Sequence, residues 1–389
     1  MKRRIIVKDI RKAKVSGLLL VFSVLIVTAL TGGSNSLCLA QSDSTDFDLF
    51  SINDGPYVMQ QSNSAHIAFY VCNGFFESRS FGVDDTIRFR GFCHDTNEVY
   101  AVTTREYEIE PDVIDTVSRI LTVSDIHGRY RLFEDILIKS NVIDENRHWI
   151  FGDGHLVING DVFDRGAYVT ECLWLIYRLE QEARIAGGAV HFILGNHELM
   201  ILQGDNRYID EKYMKGVVAV TAMKHEYLYG RRSVLGRWLR SKHAVIKLND
   251  ILFTHGGIAP SLPEKDLTIA DINSEVRKNI DLDKESPEMS AHARYLFGSE
   301  GPFWYRGYFY EMEERYPQAT ADDIDNILSY FDAEKIVVGH TGMDQITAFF
   351  DNRVINEHQT LDSLTTQALF WEDGNFYRIT SSGETQLIN

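Results

Sequence analysis

Ile-Leu-Thr-Val at 120–123, followed at once by Ser124-Asp125-Ile126-His127-Gly128, carries the pattern that decides the fold. A brief apolar run of this kind reads as a strand buried on both faces, as in an α/β sheet. It stops at two residues able to bind a metal, with a glycine beside them that permits a sharp turn. Four further runs behave alike. Residues 156–159 lead into Gly160-Asp161-Val162-Phe163-Asp164-Arg165-Gly166, and residues 190–194 into Gly195-Asn196-His197-Glu198. Residues 251–254 precede His255-Gly256-Gly257, and residues 335–338 precede Gly339-His340-Thr341. Ligands of α/β folds bind outside the carboxyl ends of the strands. Five strand ends delivering Asp, His and Asn to one edge predict a metal site in an α/β fold.

Outside these motifs the pattern changes. Seven basic residues, from Lys2 to Lys14, precede an apolar stretch over 15–30, and small and polar residues run on to Cys38-Leu39-Ala40. Residues 1–40 therefore read as a secretory signal peptide. Its apolar centre of about 16 residues falls short of the roughly 20 that span a bilayer. The expectation is an exported protein, periplasmic or extracytoplasmic, with membrane attachment only if this segment stays uncleaved. The whole chain of 389 residues has a formal charge of −17; without residues 1–40, 32 basic and 55 acidic residues remain, a net −23. So acidic a body excludes nonspecific binding to nucleic acid or anionic membrane. Any phosphate site must draw on local cations. Cys72 and Cys93 are the expected disulfide of an exported chain, and Cys172, in an apolar helical pattern, reads as a buried thiol.

Residues 41–60 read as polar and loose. Short alternating runs at 66–72, 86–92 and 99–104 then suggest a small antiparallel β unit. The expected domains are a signal peptide (1–40), a β-rich N-terminal extension (41–115) and a catalytic domain (116–389). Helical spacing marks crossovers at 132–139 and 168–186. Two long, mostly helical excursions, 198–242 and 261–333, fall between ligand loops and would overhang the site. The tail, with runs at 346–350, 353–356, 368–371 and 376–380, reads as antiparallel strands.

The chemistry follows from residue types. Asp125 and His127 stand two apart, so one tight loop can bring both to one ion. Asp161 has two carboxylate oxygens and can bridge two ions. Asn196 offers a neutral carbonyl oxygen, and His255 and His340 offer imidazoles. Oxygen donors with imidazole suit Mn, Fe or Zn, and no pair of cysteines has zinc-ribbon spacing. Two such ions about 3.5–4 Å apart would lower the pKa of a bridging water and hold the hydroxide in line with phosphorus. They would also neutralise phosphoryl charge. Arg165 and Arg306 are the candidate phosphate ligands, because guanidinium forks match phosphate bidentately. His197 is placed to protonate a leaving alkoxide, with Asp164 holding its ring.

Taken together, Asp-x-His-Gly, Gly-Asp-x-x-Asp-Arg-Gly, Gly-Asn-His-Glu, His-Gly-Gly and a late Gly-His resemble, in order and form, the motifs of calcineurin-like metallophosphoesterases. The second and third are similar to those of the phosphoprotein phosphatase branch, and Trp304-Tyr305-Arg306 resembles its bacterial Shewanella-like phosphatases. The resemblance covers about residues 118–345. It implies a two-sheet β-sandwich flanked by helices, with Ser124 standing where eukaryotic members usually have Gly. It further implies that Asp125, His127 and Asp161 hold one divalent metal, and Asp161, Asn196, His255 and His340 a second, manganese being favoured. Arg165 and Arg306 would grip phosphate while His197 and Asp164 assist the leaving group. The activity implied is hydrolysis of a phosphomonoester, on a phosphorylated protein or a small molecule, by a metal-bridging hydroxide attacking phosphorus in line. Two other readings stay open: a phosphoanhydride hydrolase resembling diadenosine tetraphosphate hydrolase, and a catalytically silent exported binding protein.

Overall fold

Successive residues of a strand face opposite sides, and the short runs are apolar on both, so each strand has to be covered twice. The computed structural model shows how. It describes residues 47–388, apart from 63–64, 83–85, 91–92, 94–98, 104–106, 284, 313–314 and 360–365. The signal-peptide expectation for 1–40 lies outside the described residues. Among the described residues no helix is long and apolar enough to cross a membrane.

The strands in chain order begin with β1 (Asp54–Ser62), β2 (Ala65–Cys72), β3 (Phe75–Gly82), β4 (Thr86–Arg90), β5 (Val99–Thr103) and β6 (Val113–Ile114). The motif-bearing set follows: β7 (Arg119–Val123), β8 (His155–Asn159), β9 (Ala189–Ile193), β10 (Val245–Leu248), β11 (Ile251–Thr254) and β12 (Lys335–Val338). Last come β13 (Thr347–Phe349), β14 (Val354–Asn356), β15 (Gln367–Glu372), β16 (Asn375–Thr380) and β17 (Thr385–Leu387). One six-stranded sheet has the order β9-β8-β7-β15-β16-β17, and a second has β6-β10-β11-β12-β14-β13. β7, β8 and β9 are mutually parallel, as are β11, β12 and β14.

Ile120, Val157 and Ile193 of the first sheet meet Ile246, Phe253, Val337 and Ile355 of the second in one buried cluster. The alternate residues Leu121, Leu156, Ile158 and Val190 face the other way. They pack into a larger core with α1 (Tyr130–Lys139) and α2 (Val169–Ala186), through Phe133, Leu137, Leu173 and Trp174. Each such side chain contributes roughly 1.5–3 kcal/mol on leaving water. The result is the expected α/β class: a two-sheet β-sandwich flanked by helices.

Three local expectations need correction. Residues 54–62 are not loose but form β1, where Tyr57 and Val58 are buried and the Tyr57 ring stacks on Phe69 at 5.2 Å. The apolar run there is only three residues long, and its ladder comes from β2, which local alternation cannot show. In the tail, β14 pairs parallel with β12 and antiparallel only with β13. Within the second excursion, residues 297–311 are irregular rather than helical. Cys72 and Cys93 are joined with their Cα atoms 5.4 Å apart, and Cys172 is a free, buried thiol.

The β-rich unit does not stand apart. Residues 47–389 cluster as one compact unit, and Tyr57, Phe69 and Tyr100 share the α2 core. A buried charge cluster fastens it. Lys212 Nζ lies 2.5 Å from Asp54 Oδ2 and donates to the Ala167 carbonyl at 2.6 Å. Asp54 Oδ1 also accepts from Tyr57 Oη (2.7 Å) and Thr170 Oγ1 (2.8 Å). Asp54→Ala should therefore strip Lys212 of its closest counter-charge and destabilise the chain by about 3 kcal/mol in urea unfolding. A loss below about 1 kcal/mol would show that the cluster behaves like a surface pair.

Candidate metal centre

The carboxyl ends of β7, β8 and β9 in one sheet and of β11 and β12 in the other open on a common edge. Asp125, Asp161, Asn196, His255 and His340 follow within three residues of those ends. The turns are tight. Asp125, His127, Asp161, Asp164, Arg165 and His340 all have φ between 48° and 69°, a left-handed backbone that costs a non-glycine residue about 1–2 kcal/mol. Interlaced main-chain bonds hold them: Asp125 N–H to Gly160 O (3.0 Å), His127 N–H to Asp161 O (2.9 Å) and Gly128 N–H to Val162 O (2.9 Å). Gly160, with φ 86°, has no alternative, because a Cβ there would stand 2.6 Å from His255 Nδ1.

Asp161 is the centre of the arrangement. Its Oδ2 lies 3.2 Å from His255 Nε2, 3.7 Å from His197 Nε2 and 3.8 Å from His127 Nε2. Ligand atoms of His127, Asp161 and His197 all fall within 4.8 Å of one another, and so do those of Asp161, His255 and His340. Asn196 Oδ1 is 3.1 Å from His255 Nε2, and Asp125 Oδ1 is 3.8 Å from His127 Nε2. All six residues expected to hold metals are thus brought together, and Asp161 is common to both groups.

The donors fit divalent cations. His127 Nδ1–H donates to Phe163 O and His255 Nδ1–H to Asn159 O, each at 2.8 Å, which aims both Nε2 lone pairs inward. His127 Nε2 and His340 Nε2 are buried without a hydrogen-bond partner, a costly state for a polar atom unless a ligand completes it. Burial holds the His127 pKa down to about 4, and burial with the nearby charges of His255 and Arg306 lowers His340 well below its ordinary value. Both shifts favour the neutral imidazole, the form that binds metal. Burial would lower His255 too, but the Asp161 carboxylate outweighs it and lifts the pKa to about 9. The centre concentrates negative charge that calls for a cation.

Around it stand the residues expected to act on phosphate. His197 Nδ1–H donates to Asp164 Oδ2 at 2.6 Å. Burial pulls the His197 pKa down, yet the carboxylates of Asp161 and Asp164 prevail and it is raised. Arg306 and His340 both line a cleft of about 500 Å³, with Arg306 Nη2 3.4 Å from His340 Nδ1. Both excursions wall that cleft, through Met200 and Arg207 on one side and Phe297, Trp304 and Arg315 on the other. Arg165 is exposed; its N–H donates to Tyr208 O (2.8 Å) and its charge acts on His127 and Asp164.

Sequence reasoning passed over four residues. Arg129, half-buried, adds a cation beside Arg165. Glu198 binds the loops from below. Glu357 is buried and accepts from Asn159 Nδ2 (2.8 Å) and Thr122 Oγ1 (2.8 Å), and His358 approaches Asp125. The last two had a signal: β14 is a sixth apolar run ending at a polar residue, Asn356, on the same edge.

The sequence profile of the calcineurin-like phosphoesterases matches residues 118–344, more than half of the chain, and the chain belongs to that family. Shewanella-like protein phosphatase 1 of Plasmodium berghei is 32% identical over 230 residues, 57% of this chain and 61% of that protein. Shewanella-like protein phosphatase 2 of Arabidopsis thaliana is 25% identical over 268 residues, 58% of this chain and 66% of that protein. The chain thus spans about three fifths to two thirds of these relatives' length. Among solved structures, the cold-active protein-tyrosine phosphatase of a psychrophilic Shewanella species superposes with a TM-score of 0.77 at 33% identity, covering 87% of this chain and 99% of that one.

If Asp161 is shared by two ions, Asp161→Asn should lower metal content at both positions in elemental analysis of the purified protein. Arg306→Ala should leave metal content unchanged. Equal metal content in the two variants would contradict the bridging role.

Proposed function

We propose that this chain is a dinuclear, metal-dependent phosphatase that hydrolyses phosphomonoesters. One observation carries this reading: a single buried carboxylate, Asp161, is common to two adjoining clusters, one with His127 and His197 and the other with His255 and His340. Divalent cations bound there, with manganese favoured, would activate water and neutralise phosphoryl charge. Asp125, His127 and Asp161 would hold one, and Asp161, Asn196, His255 and His340 the other.

The protein's own residues do the rest. Arg306 reaches the transferring group from the cleft wall and Arg165 from the exposed turn beside Asp164, offsetting charge on its equatorial oxygens. Local cations are needed because the body as a whole repels anions. His197 keeps its Nδ1 proton on Asp164, so Nε2, 3.7 Å from Asp161 Oδ2, faces the centre. As the phosphorus–oxygen bond breaks, the Nε2 proton passes to the departing ester oxygen. The raised His197 pKa supports a charged imidazolium before that step.

The cleft, with Trp304 and Tyr316 among three arginines, suits a phosphorylated peptide or an aromatic phosphoester. The names of the similar proteins, protein phosphatases and a protein-tyrosine phosphatase, agree with that substrate class. The filled ligand set speaks against a silent binding protein. The N-terminal sequence supports export, so the protein isolated from its natural cell envelope should begin at Gln41. An N-terminus at Met1 in sequencing would mean a retained anchor.

The purified protein loaded with Mn²⁺ should hydrolyse phosphopeptides and p-nitrophenyl phosphate in preference to dinucleoside polyphosphates. Turnover confined to the polyphosphates would favour the phosphoanhydride hydrolase instead. For His197→Ala, kcat should fall about 10²–10⁴-fold while both metals remain. Loss of a metal from this variant would make His197 a ligand, not a proton donor.

A further inference from the structure

We infer that His358 is an additional ligand of the cation at Asp125, an assignment that rests on the dinuclear reading above. β14 lies beside β12 and parallel to it, so its carboxyl end opens on the same edge as Gly339-His340. Two residues beyond β14, His358 Nδ1 comes within 3.0 Å of Asp125 Oδ1. That nitrogen is buried, yet it forms no hydrogen bond of acceptable geometry. His127 Nε2 stands 3.8 Å from the same oxygen and is equally without a partner.

The other Asp125 oxygen is already engaged. Oδ2 accepts from Ser124 Oγ and from the His340 N–H at 3.0 Å, which leaves Oδ1 for an ion. A nitrogen and a carboxylate oxygen in contact, with no proton directed between them, are held best by a cation that both touch. Neighbouring ligands at right angles around an ion with bonds of about 2.1 Å lie about 3.0 Å apart. The observed separation matches that edge.

The residue is fixed by its own backbone. His358 N–H donates to Asn356 Oδ1 at 3.0 Å, and its carbonyl accepts from Met343 N–H at 3.0 Å. The His358 side chain is 12% exposed and that of Asp125 1%. The assignment also balances the centre. Asp125, His127, Asp161 and His358 supply four protein residues to one ion, and Asp161, Asn196, His255 and His340 supply four to the other.

The test uses the full chain loaded with Mn²⁺. A crystal structure with anomalous scattering at the manganese edge should show two peaks, with His358 Nδ1 within about 2.3 Å of the one beside Asp125. A separation beyond about 3 Å, with Nδ1 hydrogen-bonded to Asp125 instead, would overturn the assignment. In calorimetric Mn²⁺ titration, His358→Ala should weaken one of two binding events by about tenfold or more and spare the other. Two unchanged events would again count against it. Should the alanine variant not fold, His358→Gln is expected to give the same one-sided loss. A wild-type chain that takes up no pair of ions would remove the dinuclear reading and this assignment together, and that outcome needs no variant to recognise.

Discussion

The Glu198 carboxylate holds the centre together. It is fully buried and accepts main-chain N–H bonds from Gly195 (2.7 Å), Asp161 (2.8 Å), Val162 (2.8 Å) and Phe163 (3.2 Å). One side chain thereby ties the turn after β9 to the turn after β8. Burial pushes its pKa up to about 7, and those donors are what favour the charged form. Hydrogen bonds to a charged group contribute about 1.5–3 kcal/mol each, comparable to the cost of the left-handed backbone at Asp161 and Asp164. Without that staple the Asp161 carboxylate would have no reason to sit where two imidazole groups can share it.

The same centre sets local electrostatics against the global charge. A chain of formal charge −17 repels phosphate at long range, yet Arg306 lies beside His340 and the charge of Arg165 acts on His127 and Asp164. Burial lowers the pKa of His127 and of His340, while the Asp161 carboxylate raises that of His255 and, with Asp164, that of His197.

The N-terminal β unit reaches this chemistry through Lys212. That side chain joins Asp54 of β1 to the carbonyl of Ala167, two residues beyond Arg165, and Tyr213 Oη donates to the same carbonyl at 3.1 Å. Lys212 and Tyr213 open a π-helical turn at Lys212–Val217, an irregularity frequent near functional sites. The extension is thus packed against the turn that carries Arg165, a candidate phosphate ligand, rather than standing apart from it.

Much of the centre was legible because buried strands leave a local mark. Ile, Leu and Val on both faces of a four- or five-residue run mark a strand covered twice, and each such run stopped at a candidate ligand. Residues 251–254 and 335–338 coincide with β11 and β12, the runs 120–123 and 156–159 each start one residue inside β7 and β8, and 190–194 is shifted by one residue from β9. Less was legible where the stabilising partner is distant in sequence. β1 depends on β2, β14 on β12, and the short β6 on β10, so their local patterns were weak or misread. By itself, then, the amino-acid sequence determined which residue types stand at the strand ends and hence the kind of chemistry available. Only the tertiary structure decided that the ends of two different sheets share one edge, that Asp161 lies at its middle, and that Glu357 and His358 arrive there too. The reason is physical: strand formation is governed by neighbours a few residues away, whereas sheet order and the packing of one sheet on another are set by contacts between residues hundreds of positions apart.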